Sequence, residues 1–360
     1  ASKEPAGPAP QLTVTGLTDG TIASSRLIHV SGATTAARVV ADVNGQKTTL
    51  SLSSGKFEGT ITLPDIDNRV RITAYGVKGS SISAKSPSTS ERYQITAFGN
   101  LVGSLTDPQG DDDGDGNYLY PTDGAFNKGS FDMTGVRVYS DGGTIRLVVT
   151  MAGDVRNPWS ANHMSTQRLN YYLSDPGNAS GTSAGVGASA VPLLPGTNTN
   201  SREPWRYAIV VDGRNAASKY GPGVYDKNGT RLGPIDLAVV GGRQIVASFD
   251  ASLLAGFDYA QAGYQVSMFS SSEDGEGVGN VRPVYSADCY HGIGCDAGTG
   301  QCKFGGGRGQ TMSPSPFDTD LTDSNAIDVI TGPADQHALM KPVAGGPILP
   351  FVHLTRPDKE

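Results

Sequence analysis

The chain has 360 residues, enough for two domains that each bury their own core. Gly (48) and Pro (22) are plentiful, and only 18% of residues are charged. The net charge of -7 comes from Asp clusters, and no basic patch interleaved with aromatics accompanies it, which argues against a nucleic-acid partner.

The chain opens on Ala1, and residues 1–10, ASKEPAGPAP, read as a Pro/Ala spacer of the kind that follows an export signal or a lipid anchor. A secreted, extracytoplasmic protein at the cell surface or envelope is therefore expected. No run of eighteen or more apolar residues is present, so a spanning helix is not expected.

Residues 11–98 carry short strand-like runs: QLTVTGL, RLIHVSG, ARVVADVNG, TTLSLSSGKFEGTITL, RVRITAYGVKG and ERYQITAFG. Asn44-Gly45 and Ser54-Gly55 are tight hairpin signals. Turn signals arrive every eight to twelve residues, which predicts a small antiparallel sandwich of the immunoglobulin type, with a boundary near Gly99.

Residues 99–354 form a second, less regular domain, followed by a tail at 355–360. Its strand-like runs include FDMTGVRVYSD, GTIRLVVTMAG, QRLNYYLSD, RYAIVVDG, LAVVGGRQIVASFD and YQVSMFSSSE. Long polar segments, Gly177 to Glu203 and Asp274 to Thr311, separate them and suggest a ligand contact or an interface. Asp250-Ala-Ser-Leu-Leu reads as a single Asp-capped turn. No alternation of strand and helix appears, so the fold class is all-β throughout.

The sharpest chemical signal is DPQGDDDGDGNYLYPTD, which places Asp107, Asp111, Asp112, Asp113 and Asp115 within one short Gly-broken run, with Asp132 following. Carboxylates this dense repel one another unless a hard cation gathers them, and Ca2+ accepts six to eight oxygens in loose geometry. No helices flank the run and no Glu closes a loop of twelve, so it is not an EF-hand. A solvated acidic turn is the alternative.

The run GSLTDPQGDDDGDGNYLYPTDGAFNKGSFDMTGVRVY, NPW at 157–159, EPWRYAIVVDG and the closing DTDLTDSNAIDVITGPADQHALMKP...ILPFVHL resemble the C-terminal domain of glucodextranase, a module also found in surface-attached amylopullulanases. The segment before it, with DVNGQ and SGKFEGTITL, is similar to the immunoglobulin-like domain that precedes that module. The resemblance implies a DOMON-like, carbohydrate-binding-module-like sandwich with bound calcium and an association with the cell surface. The partner it implies is a surface glycan or an envelope or S-layer protein, and homo-oligomerisation is compatible with it. The catalytic barrel of glucodextranase is not matched, and no nucleophile elbow, phosphate loop or HExxH helix is present, so hydrolysis is not expected.

Sugar binding needs aromatic faces, and Trp159, Trp205 and Tyr120 are the stacking candidates, with Tyr118, Tyr171 and Tyr172 behind them. Both tryptophans could equally anchor loops on the core. On a strand, Tyr171 and Tyr172 point to opposite faces.

A second chemistry is redox copper, as in a superoxide dismutase-like subunit of an envelope assembly, held by His163, His291, Cys289 and Cys295, with Met164 and Cys302 nearby. Against it, no two of the five histidines stand one residue apart. Cys289, Cys295 and Cys302 are also disulfide candidates, with one pair bonded and one thiol free, and their spacing matches no common zinc knuckle.

Overall fold

The computed structural model describes residues 7–77, 86–121, 123–156, 164–175, 199–201, 204–214, 220–271, 281–282, 284, 304, 324–343 and 346–357. The chain divides into two compact units, Ala1–Leu101 and Val102–Glu360.

The first unit holds β1(Leu12–Thr15), β2(Thr21–Ala23), β3(Leu27–Thr34), β4(Arg38–Val43), β5(Gln46–Ser53), β6(Lys56–Thr62), β7(Asp67–Tyr75) and β8(Ser88–Ala97). They run in the order β1-β3-β6-β5-β4-β7-β8-β2. The first part of β5 pairs with β4 and its last residues with β6, so one strand serves both layers of the sandwich. The two hairpins around β5 turn where the sequence places them. Asn44 and Ser54 both adopt positive φ, each followed by a Gly that also does, as a two-residue turn matching strand twist requires. Alternation then sends Val39, Ala41, Val43, Phe57, Ile61, Val70, Ile72 and Ile95 into a common core.

The second unit contains β9(Asn100–Thr106), in which the division falls, then β10(Met133–Ser140), β11(Thr144–Met151), β12(Gln167–Ser174), β13(Asn200–Ser201), β14(Tyr207–Asp212), β15(Gly223–Asp226), β16(Arg231–Gly233), β17(Asp236–Val240), β18(Gln244–Asp250), β19(Gly263–Ser270), β20(Asp328–Val329), β21(Ile348–Leu349) and β22(Val352–His353). One sheet has the order β17-β18-β11-β10-β9; the other has the order β16-β15-β14-β12-β19-β20, with β22 also on β19. Their facing side chains, among them Val136, Val138, Leu147, Val149, Leu169, Tyr171, Val266 and Met268, form one apolar core. The expected Asp-capped turn is present as a 3-10 turn, Ala251–Leu254, with Asp250 accepting from the Ser252 backbone N–H at 2.8 Å.

β12 and β19 are buried along their whole length. Leu169, Tyr171 and Leu173 face the core, while Arg168, Asn170 and Tyr172 share the other face of the sheet with Gln265, Ser267 and Phe269, as the register requires. On that second face Arg168 and Asp212 form an ion pair at 3.3 Å with neither side chain exposed.

Candidate functional site

The acidic run begins where β9 ends. The Asp107 backbone N–H donates to Thr134 O at 3.2 Å, which fastens the start of the loop beside β10. Beyond it, Gly110 and Gly114 adopt positive φ, and a Cβ at Gly114 would lie 2.3 Å from the Tyr118 ring. The chain doubles back on itself there because those positions carry no side chain. Gly114 N–H then donates to Ile327 O at 2.9 Å and Tyr118 OH to Ser324 O at 2.7 Å, which draws the segment leading into β20 against the acidic loop.

That stitching delivers a residue two hundred positions away. Carboxylate oxygens of Asp107, Asp111 and Asp328 all lie within 4.8 Å of one another. Asp328 is fully buried; one oxygen accepts from the Met133 backbone N–H at 2.5 Å and Oδ1 has no partner. Both Asp107 side-chain oxygens and Asp111 Oδ1 are likewise buried without a hydrogen-bond donor in bonding geometry. Asp132, 3% exposed, accepts from Gly110 N–H at 2.8 Å through Oδ2, while its Oδ1 is orphaned. Gln336 completes the frame. Its side-chain amide donates to Asp111 O and to Gly114 O, and its Oε1 accepts from the Val329 N–H at 2.8 Å.

Burial is the first cause of the electrostatic stress here. It raises the Asp328 and Asp107 carboxyls well above the usual carboxylate range; the charges of Asp111 and Asp132 add to both and that of Asp107 to Asp328, while the backbone N–H groups of Thr331 and Met133 partly offset the rise at Asp107 and Asp328 respectively. Asp132 is pushed up to about 7 by burial and then by Asp112 and Asp111. Asp111 and Asp112 are raised for the same reasons, burial before neighbouring charge. Buried acceptors with no donor cost free energy unless something positive meets them, and an all-oxygen donor set of this charge suits a hard cation.

The acidic run is thus divided by its own backbone. Asp107 and Asp111 turn inward with Asp328, and Asp132 stands beside them. Asp112 accepts from Tyr120 OH. Asp113 Oδ1 lies 2.8 Å from His337 Nε2, and Asp115 accepts from Asn117 N–H and its side-chain amide, so these last two carboxylates point elsewhere. Asp328 was not foreseen; its signal was a single acid inside the apolar stretch Ile327-Asp328-Val329-Ile330.

The aromatic candidates are placed differently from a sugar platform. Tyr120 packs edge-on against Phe131 and Phe304, with centroids 5.7 and 5.0 Å away. Trp205 is 2% exposed and lies 5.5 Å from the Tyr172 ring, so the loop-anchoring arrangement is the one observed for it. Tyr171 and Tyr172 take opposite faces and both are buried. Trp159, His163, Cys289, His291, Cys295 and Cys302 lie outside the described residues; Met164 is buried in the core.

A family model for the C-terminal, SLH-like binding module of glucodextranase matches residues 102–342. No curated protein matches the chain. Among solved structures, the beta-glucuronidase of Parabacteroides merdae is 10% identical over 72% of this chain and 23% of its own, with a TM-score of 0.20. Titin domains Z1Z2 in complex with telethonin are 10% identical over 74% of this chain and 90% of theirs, TM-score 0.20. A bacterial ice-binding adhesin is 14% identical over 75% and 62%, TM-score 0.19. At these TM-scores the three likenesses carry no functional argument. No helix among the described residues is long and apolar enough to cross a membrane.

Proposed function

This chain belongs to the family of C-terminal, SLH-like binding modules of glucodextranase, and on that premise we propose that it is an extracytoplasmic, cell-envelope binding protein whose second unit is locked by calcium and recognises a glycan or surface-layer partner. The observation that carries the calcium part is the set of buried oxygens on Asp107, Asp111, Asp132 and Asp328 that make no hydrogen bond in good geometry, only the Thr331 backbone N–H standing near the Asp107 carboxyl. Calcium fits them because it takes many oxygens at loose geometry and neutralises carboxylates that otherwise repel. These residues would hold the ion, and its chemistry is structural: it ties the loop after β9 to β20 and to the Gln336 frame.

The binding part is supported by family membership, and its test is retention on a dextran affinity gel and on a glycan array in calcium buffer. Retention that is lost in chelator fits a calcium-locked module. If neither surface retains the protein, glycan recognition is overturned and a protein partner takes its place.

The acidic cluster also sets a pH signature. A carboxyl whose folded value lies above its ordinary 3.8, such as Asp132 at about 7, contributes stability below about pH 4 that is lost as pH rises through about 7. Calcium takes over the proton's role above that range. The difference in melting temperature between calcium and chelator is therefore expected to grow from pH 4 to pH 8. A difference that is flat across that range, or shrinks, contradicts the site.

A further inference from the structure

The sequence holds two Asn-Gly pairs, and each turns a hairpin: Asn44-Gly45 between β4 and β5, Asn228-Gly229 between β15 and β16. An asparagine in this setting is open to attack on its side-chain carbonyl carbon by the following glycine nitrogen, which no Cβ shields. The dipeptide alone gives both pairs the same chance. Exposure does not separate them, because both asparagines are exposed. Nor does the nucleophile: Gly45 N–H donates to Asp42 Oδ1 at 2.8 Å and Gly229 N–H to Asp226 O at 2.9 Å.

The asparagine side chains do differ. Asn44 Oδ1 accepts from Arg69 N–H at 2.8 Å, while its Nδ2 donates to Asp65 Oδ2 at 2.7 Å and to Asn68 Oδ1 at 3.2 Å. Its carbonyl carbon reaches Gly45 N only if those bonds are given up, and a carboxylate formed there would face Asp65 with no proton to donate. Asn228 carries no such restraint. Its backbone N–H donates to Asp226 Oδ1 at 2.8 Å, but among the described residues its side chain makes no hydrogen bond. Gly229 has φ +76, and its open side has nothing nearer to an added Cβ than the Tyr220 ring at 4.0 Å.

We propose that Asn228 is a site of spontaneous deamidation, and that Asn44 is protected by its own hydrogen-bond network. Gly229 N gives its proton to a buffer base and bonds to the Asn228 side-chain carbonyl carbon; the bond from that carbon to Nδ2 breaks, and the nitrogen leaves as ammonia. The cyclic imide then takes up one water and opens to aspartate or, at its other carbonyl, to isoaspartate. The isoaspartate route runs the main chain through Cβ and lengthens it inside a turn where Asp226 Oδ1 holds the N–H groups of both Asn228 and Thr230 at 2.8 Å. Either product sets a second carboxylate near Asp226. The hairpin so altered carries β16, the outermost strand of its sheet, on which Leu232 is 37% exposed. Deamidation therefore loosens a sheet edge, the part of a β-protein most open to wrong pairing.

The test incubates the full chain in warm, mildly alkaline buffer and follows both peptides by mass spectrometry, with an isoaspartyl methyltransferase reporting isoaspartate. In the folded protein Asn228 is expected to convert at least about tenfold faster than Asn44, the effect of holding one barrier higher through the bonds that must break. In denaturant, where the network around Asn44 is gone, the two rates should converge. Hydrogen exchange at the Tyr225 and Arg231 amides should be faster in the converted protein than in the fresh one. An intact Asn228, an Asn44 that converts as fast in the folded chain, or rates that stay apart in denaturant overturns the proposal.

Discussion

Replacing Asp328 with Asn is expected to invert the protein's response to calcium. In chelator the variant should melt above the parent, because a fully buried carboxylate facing Asp107 and Asp111 is replaced by a neutral group of the same shape. The Asn carbonyl can still accept from the Met133 N–H. In calcium the order should reverse, since the ion loses a buried anionic ligand. A ligand at about a thousand times its Kd stabilises the folded state by about 4 kcal/mol. For a domain of this size that corresponds to a rise of about 8–16 °C in the parent. The variant should respond by less than about 2 °C. Differential scanning calorimetry of both proteins in both buffers checks it, and a variant that melts below the parent in chelator as well contradicts it.

The buried pair on the second face of the sheet should give an effect of comparable size. Arg168 and Asp212 are both inaccessible, and the pair is extended by Arg168 donating to Tyr220 O at 3.0 Å and by Ser271 Oγ donating to Asp212 at 3.0 Å. Arg168→Met leaves Asp212 charged inside the protein, a change that typically costs about 3–5 kcal/mol. Urea unfolding should show that loss. Arg168→Met/Asp212→Leu should recover much of it, because it removes both charges and keeps the volume. A single variant within about 1 kcal/mol of the parent contradicts the reading that Asp212 is left as an uncompensated buried charge.

The all-β architecture was legible because it rests on local signals. The hairpins at Asn44-Gly45 and Ser54-Gly55, the Asp250 turn and the strand runs of both units depend on residues adjacent in sequence. β12 and β19 were legible as strands, but their burial on both faces was not. Polar residues such as Arg168, Asn170, Gln265 and Ser267 suggest an open face, and what covers a face is decided by distant parts of the chain.

The same limit applies to the acidic site. The density of the run from Asp107 to Asp115 marked the loop as a candidate for cation binding, but which carboxylates converge depends on the backbone reversal at Gly110 and Gly114. Asp328 enters only because Gly114, Tyr118 and Gln336 bind its segment to the loop, a pairing across more than two hundred residues with no local signature. Trp205 and Tyr120 show the converse. Each offers a large ring that suits a sugar, and each is committed to neighbours from elsewhere in the fold.

The central claim, that buried oxygens of Asp107, Asp111, Asp132 and Asp328 hold a calcium ion, is tested most directly by metal stoichiometry. Parent and Asp328→Asn are equilibrated with calcium, dialysed against metal-free buffer and measured by elemental analysis. One retained calcium per chain in the parent and substantially less in the variant is the predicted result. A parent that retains no calcium, or a variant that retains as much, would contradict it.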